Sequence, residues 1–196
     1  MHKFSWMNES SVVEKDGALI LHAPAFTDYF NYGEALNEKG LPSDSVQNAP
    51  YYYTELEGDF VFKVRVSLDF QSNYDACALL LYVDQNHWGK LCFEKSDFDT
   101  IAVVSVVTKV HSDDANGVNV DGSPIWLKAV RVNNYFSFHY SHDGKQFFLT
   151  RLYYMDAPKT LKVGLVPQSP TGQGGPRVFD HLSIEHRTVQ NLRKGE

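Results

Sequence analysis

The sequence predicts an all-β domain, an antiparallel sandwich or jelly roll, on three observations. Apolar and polar residues alternate almost everywhere along the 196 residues, whereas helical periodicity is almost absent. Aromatic side chains make up 14% of the chain, with 13 Phe and 11 Tyr, and these types favour strands as Val and Thr do. Short turn-forming links separate the alternating runs, the pattern of antiparallel neighbours.

The elements follow in order. ALILHA (Ala18–Ala23) is the first candidate strand. FVFKVRVSLDF (Phe60–Phe70) is the clearest: Phe60, Phe62, Val64, Val66, Leu68 and Phe70 share one face, and Lys63, Arg65, Ser67 and Asp69 the other. That is a strand with one core face and one wet face. The continuous apolar run Ala76–Val83 predicts a central strand. Trp88–Lys95, Ile101–Val110, Ile125–Val132, Tyr135–Ser141, Phe147–Tyr154, Leu161–Gln168 and Arg177–His186 complete the set. The links VDQNH, VNN and SHDGK separate neighbours. In the last, Asp143-Gly144 predicts a tight primed turn, because Asp tolerates the left-handed conformation and Gly adopts it freely. Residues 26–56 are less regular and read as long connections near one edge. One domain is expected over residues 1–187, followed by a flexible tail, 188–196.

Composition narrows the function classes. The formal net charge of −6 argues against a nucleic-acid partner, which needs a basic face. The chain has no apolar run of membrane-spanning length, and its start lacks the apolar core of a secretory signal. Cys77 and Cys92 both lie in apolar runs and read as buried thiols. Together these features predict a cytoplasmic protein, so the glycosylation sequon at Asn8 carries no weight.

Catalytic and metal motifs are sparse. There is no GxSxG, HExxH, CxxC or Walker loop. GQGG (Gly172–Gly175) opens no helix and so forms no phosphate cradle. Glu55, Glu57 and Asp59 fit a solvated strand end before a turn better than a glycosidase pair. HSDDANG (His111–Gly117) is acidic but lacks the ligand pattern of a calcium loop. No metal or other cofactor is expected.

One stretch stands out. In HWGKLCFEK (His87–Lys95), Trp88, Lys90 and Glu94 project from one face of a strand, opposite Leu91 and Phe93. An indole can stack on the C–H face of a sugar ring while Lys and Glu bond hydroxyls. The same row also fits a cross-strand ion pair beside an edge Trp. The residues alone leave both readings open.

Three segments together resemble a known family. ACALLLYVDQNHWGKLCFEK, WLKAVRVNNYFSFHYSHDGKQF and KVGLVPQSPTGQGGPRVFDHLSIEH are similar to the DUF1349 family. Its motifs fall, in order, on Leu79–Glu94, Trp126–Arg131, Ser141–Phe147 and Val163–Asp180. Phe147 stands where the family hairpin usually has Trp, and Ala76-Cys77-Ala78 replaces a glycine-bearing start. The resemblance implies a concanavalin A-like jelly roll of two antiparallel sheets, similar to the C-terminal sandwich domain of family 43 β-xylosidases. It establishes no shared catalytic residue. One branch is described as a regulator of enolase.

Because a concave sheet commonly forms the groove in this fold, the resemblance favours a groove at Trp88, Lys90 and Glu94. Trp88 is expected to stack on a carbohydrate or related polyol, with Lys90, Glu94 and Arg131 orienting its hydroxyls. Gln168 and Arg177 would line the same groove, and Tyr29 and Tyr32 would close one side. The leading expectation is a carbohydrate- or polyol-binding protein that does no chemistry. The alternatives are an interaction module regulating a metabolic enzyme, and a glycan-processing enzyme with Glu94 as acid or base.

Overall fold

A computed structural model describes residues 2–122 and 124–196. The strands, in chain order, are β1 (Ser5–Met7), β2 (Val12–Lys15), β3 (Ala18–Pro24), β4 (Tyr29–Phe30), β5 (Val46–Gln47), β6 (Tyr51–Glu57), β7 (Phe60–Ser67) and β8 (Ala76–Asp84). They continue as β9 (His87–Lys95), β10 (Ile101–Lys109), β11 (His111–Asn119), β12 (Ile125–Val132), β13 (Tyr135–Ser141), β14 (Phe148–Tyr154), β15 (Thr160–Gln168) and β16 (Gly174–Glu185). Among the described residues there is no helix.

Two seven-stranded antiparallel sheets form the sandwich. The first runs β1-β6-β15-β8-β9-β10-β11 and the second β14-β13-β12-β7-β16-β3-β2. The expected all-β jelly-roll architecture is the one observed. Strand β8, predicted as central from its apolar run, is the middle strand of the first sheet. Between the sheets lie Leu79, Leu91, Phe93 and Val103 from the first and Phe62, Val64, Leu127, Phe136, Phe138 and Phe179 from the second. The contact is close: a Cβ on Gly89 of β9 would stand 2.1 Å from the Tyr153 hydroxyl of β14.

A second apolar layer lies on the other side of the first sheet. Ala76, Ala78, Leu80, Trp88, Cys92, Val104 and Val166 pack there with Tyr29 and Ala49. The last two belong to the segment between β3 and β6, which carries the small β4–β5 ribbon and lies over this face. The first sheet is therefore buried on both faces over part of its area.

Several segments differ from the sequence reading. HSDDANG, not among the expected strands, is part of β11, paired with β10 through contacts such as Val106 opposite Asp114. A strand exposed at a sheet edge tolerates this polar composition. Asp143-Gly144 does lie in a hairpin, but the loop spans residues 142–147. The Asp143 carboxylate accepts hydrogen bonds from the Lys145 and Gln146 amides at 2.8 and 2.9 Å. Gly144 takes a left-handed φ of 73°, and a Cβ there would strike the Trp126 ring at 2.5 Å. At the C-terminus, Val189 is buried against Val61 and Val130, and Lys128 Nζ donates to the Gly195 carbonyl at 3.3 Å.

Candidate functional site

Period-2 geometry sends Trp88, Lys90, Cys92 and Glu94 of β9 away from the sandwich interior, as expected from sequence. Antiparallel register then sets their neighbours. Lys90 stands between Leu80 of β8 and Val106 of β10, and Glu94 between Ala76 and Ala102. The alanines matter: side chains ending at Cβ leave room above the Glu94 carboxyl. Beside it opens a cleft of about 420 Å³, lined by Asp28, Phe30, Tyr32, Tyr74, Lys90, Glu94, Val104, Val106, Asp114 and Gln168.

Lys90 is the structural node of this cleft. Its ammonium, 2% exposed, donates to Asp28 Oδ1 at 2.9 Å, the Tyr29 carbonyl at 2.8 Å and Gln168 Oε1 at 2.9 Å. All three N–H donors of a lysine are thereby used. Burial works against the charge, but neighbouring negative groups, led by Asp28, outweigh it and hold the ammonium protonated. The contacts tie β9 to β15 and to the covering segment. Lys90 thus fixes one wall and has no hydrogen left for a ligand.

Glu94 is the opposite case. It is 8% exposed, and among the described residues no N–H or O–H donor lies within hydrogen-bonding distance of its carboxyl. Burial pushes its pKa up to about 8; Lys90 opposes the shift, while Asp28 and Asp114 add to it. Asp114, reaching the cleft from β11, is also raised, mainly by burial. Cys92, between Lys90 and Glu94, is a fully buried thiol pushed well up by burial, and so inert. Three carboxyl groups line the cleft. They do not converge as a metal site, and no group of three or more metal-binding side chains occurs among the described residues.

The aromatic wall comes from elsewhere. Phe30 and Tyr32 belong to the covering segment, with ring centroids 5.9 Å apart. Tyr74 precedes β8 and holds a left-handed φ of 67°, costly for a bulky residue. Its backbone is held by the Tyr74 amide donating to the Lys95 carbonyl at 2.7 Å. The Asp75 carboxylate accepts from the Gln71 and Ser72 amides at 3.1 and 3.0 Å in the preceding turn.

Of the eight residues expected to line a groove, the structure brings Lys90, Glu94, Gln168 and Tyr32 to one cleft. The other four lie elsewhere. Trp88, expected to stack on a ligand, is fully buried; its ring meets Tyr29 edge-on at 6.1 Å beneath the covering segment. Tyr29 is buried with it, so neither ring offers a free face. Arg131 lies on β12 of the second sheet, where its guanidinium donates to the carbonyls of Asn133, Pro158 and Lys159. Arg177 is buried against Asp75, Nη2 to Oδ1 at 2.9 Å, and donates to the Gln168 carbonyl at 3.0 Å, bracing the cleft from behind.

Asp28, Phe30, Tyr74, Val104, Val106 and Asp114 were not foreseen. A sequence signal existed for Asp114 alone: extending alternation through HSDDANG as a strand would have set it beside Val106.

The chain is similar to proteins of known sequence and structure. It is 26% identical over 182 residues to "Regulation of enolase protein 1" of Saccharomyces cerevisiae, covering 92% of this chain and 88% of that protein. A crystal structure of a functionally unknown protein from Saccharomyces cerevisiae superposes with a TM-score of 0.82 at 25% identity, covering 95% of this chain and 97% of the other. The GH43 protein BlXynB of Bacillus licheniformis shares the fold with a TM-score of 0.65 at 16% identity, matching 89% of this chain but only 34% of that one. The carbohydrate binding module CBM66 of Bacillus subtilis shares it at 0.56 and 10% identity, over 92% and 94% of the two chains. The family model described as "Protein of unknown function (DUF1349)" matches residues 6–187, and the chain belongs to that family.

Proposed function

We propose that this chain is a cytoplasmic, non-catalytic binder of a small carbohydrate or related polyol, held in the cleft over Glu94. One observation carries the reading: a cleft of about 420 Å³ with carboxyl acceptors on its floor and rim and three aromatic rings around it. The volume falls in the range of roughly 300–1,000 Å³ usual for small-molecule sites. Aromatic rings receive C–H faces, and carboxylates accept hydroxyl protons strongly. The fold shared with a carbohydrate binding module supports the reading, and two buried free thiols suit a reducing compartment. Relative to the sequence reading, stacking passes from Trp88 to Tyr32 and Tyr74, the hydroxyl acceptors are Asp114 and Asp28, and Glu94, protonated at neutral pH, both donates and accepts.

The test is a thermal-shift screen against neutral mono- and oligosaccharides, repeated with Tyr32→Ala. Tyr32 is 52% exposed, so its loss spares the fold. A ligand at 100 times its dissociation constant adds about 2.7 kcal/mol. A shift present in the wild type and lost in Tyr32→Ala supports the cleft; a shift that persists in the variant contradicts it. Hydrolysis of a hit would move the reading to the glycan-processing alternative, with Glu94 as acid and Asp114 or Asp28 as partner carboxylate.

A second reading has its own observation. Phe148, Leu152 and Tyr154 alternate along the edge strand β14 and are exposed, as is the neighbouring Tyr135. Such a patch fits a protein partner, and the relative's name directs the choice to a metabolic enzyme, enolase first. Direct binding of purified enolase, weakened by Leu152→Asp, would support it.

A further inference from the structure

We propose that the cleft selects a ligand carrying a protonated amine beside its hydroxyl groups, an amino sugar being the type, with the buried Glu94 as the ammonium's counter-charge. The inference rests on the polyol-site reading above and adds the ligand's charge.

The lining groups carry it. The cleft's one cation, Lys90, spends all three hydrogens on Asp28, Tyr29 and Gln168. Gln168 gives its oxygen to Lys90 and directs its amide nitrogen at the Tyr74 carbonyl, 3.4 Å away. The nearby Arg177 is committed to Asp75 and to the Gln168 backbone. An anionic ligand, such as a sugar acid or sugar phosphate, therefore meets three carboxyl groups and no uncommitted cation. A ligand rich in donors meets the reverse.

Glu94 makes the preference specific. It is more than nine-tenths buried and borders the cleft, and the described residues offer its carboxyl no N–H or O–H donor, only the weakly donating Cys92 thiol. A buried carboxyl in that condition is costly to ionise, and a counter-charge removes the cost. Its flanking residues Ala76 and Ala102 leave space for one. Asp114 stands in the row of Lys90, two strands away through Val106, and reaches the same cleft. Phe30, Tyr32 and Tyr74 complete the wall, and aromatic faces attract cations. Burial raises the pKa of Glu94, with Asp28 and Asp114 adding to the shift and Lys90 and the Cys92 thiol opposing it, in agreement with a buried carboxyl short of counter-charge.

The experiment is calorimetric titration of the whole chain with D-glucosamine, D-glucose, D-glucuronate and 1,5-diaminopentane. A charge-assisted bond is worth about 1.5–3 kcal/mol, so glucosamine should bind about 10- to 100-fold more tightly than glucose, and glucuronate not measurably. In Glu94→Gln the glucosamine-to-glucose ratio should fall towards one. Equal affinity for glucosamine and glucose in the wild type overturns the amine preference and leaves the polyol reading standing. Binding of diaminopentane as tight as that of glucosamine keeps the amine and overturns the polyol reading. Binding of glucuronate alone, or of none of the four, overturns the inference.

Discussion

Lys90 Nζ and Asp28 Oδ1 lie 2.9 Å apart, joining the middle of the first sheet to the segment that covers it. The ammonium is 2% exposed and the carboxylate side chain 21% exposed, so water barely competes for the pair. Removing one partner of a buried pair costs more than the pair contributes, because the other is left uncompensated. Asp28→Ala should therefore destabilise the domain by about 3–5 kcal/mol in urea unfolding. Replacing both, as Lys90→Met with Asp28→Leu, should recover a large part of that loss. A double-mutant cycle showing purely additive effects would contradict the node assigned to Lys90.

Trp88 gives a prediction opposite to the one its sequence setting suggests. A stacking platform could be truncated without harm to the fold. A fully buried indole cannot, and Trp88→Ala should cost about 3–5 kcal/mol. Chemical denaturation of the variant checks this; an unchanged midpoint would mean that the ring is not packed.

Glu94 should leave a signature in the pH dependence of stability. Its folded pKa of about 8 lies above the unfolded value of about 4.3. Between those values the folded state binds the extra proton, so stability attributable to this group is full below about 4.3 and lost as pH rises towards 8. Glu94→Gln mimics the protonated acid and lacks this loss. The two proteins should match near the acid end of the window and diverge towards its alkaline end, with the variant the more stable. Denaturation curves across that range decide it; parallel curves would mean that Glu94 titrates normally.

Gly89 and Tyr153 test the contact between the sheets. A Cβ at Gly89 would overlap the Tyr153 hydroxyl at 2.1 Å and approach Phe138 at 3.2 Å. Gly89→Ala should cost about 1–3 kcal/mol by overpacking. That hydroxyl is also buried without a hydrogen-bond partner, so Tyr153→Phe alone should be near neutral or stabilising, and should relieve part of the Gly89→Ala defect. Equal Gly89→Ala penalties in both backgrounds would place the strain elsewhere.

These residues also mark how far the sequence could be read. Alternation set the sandwich, the middle position of β8 and the shared face of Lys90 and Glu94, because period 2 is local and needs no tertiary knowledge. It could not show that this face is itself partly covered. The burial of Trp88 depends on Tyr29 and Ala49, which arrive from a segment whose own pattern is irregular. Lys90 and Glu94 looked alike as groove residues, yet one is saturated by Asp28, Tyr29 and Gln168 and the other faces the cleft with only the Cys92 thiol beside it. That difference arises from long-range contacts, 61 to 78 residues apart for Lys90, which alternation does not encode. Arg131 and Arg177 looked free to meet a ligand because the groups they serve are distant in sequence or lie outside the alternating runs: loop carbonyls for Arg131, and the Asp75 carboxylate with the carbonyl ending β15 for Arg177.

The most direct measurement is methyl NMR of the valine-labelled protein, titrated with a pool of neutral and amino sugars. Val104 and Val106 both line the cleft beside Glu94 and Asp114. Binding in the cleft should give saturable shifts of these two methyl groups, with Val61 and Val130 on the outer face of the second sheet unmoved. Shifts confined to the second sheet, or none in the cleft while the pool stabilises the protein, would contradict it.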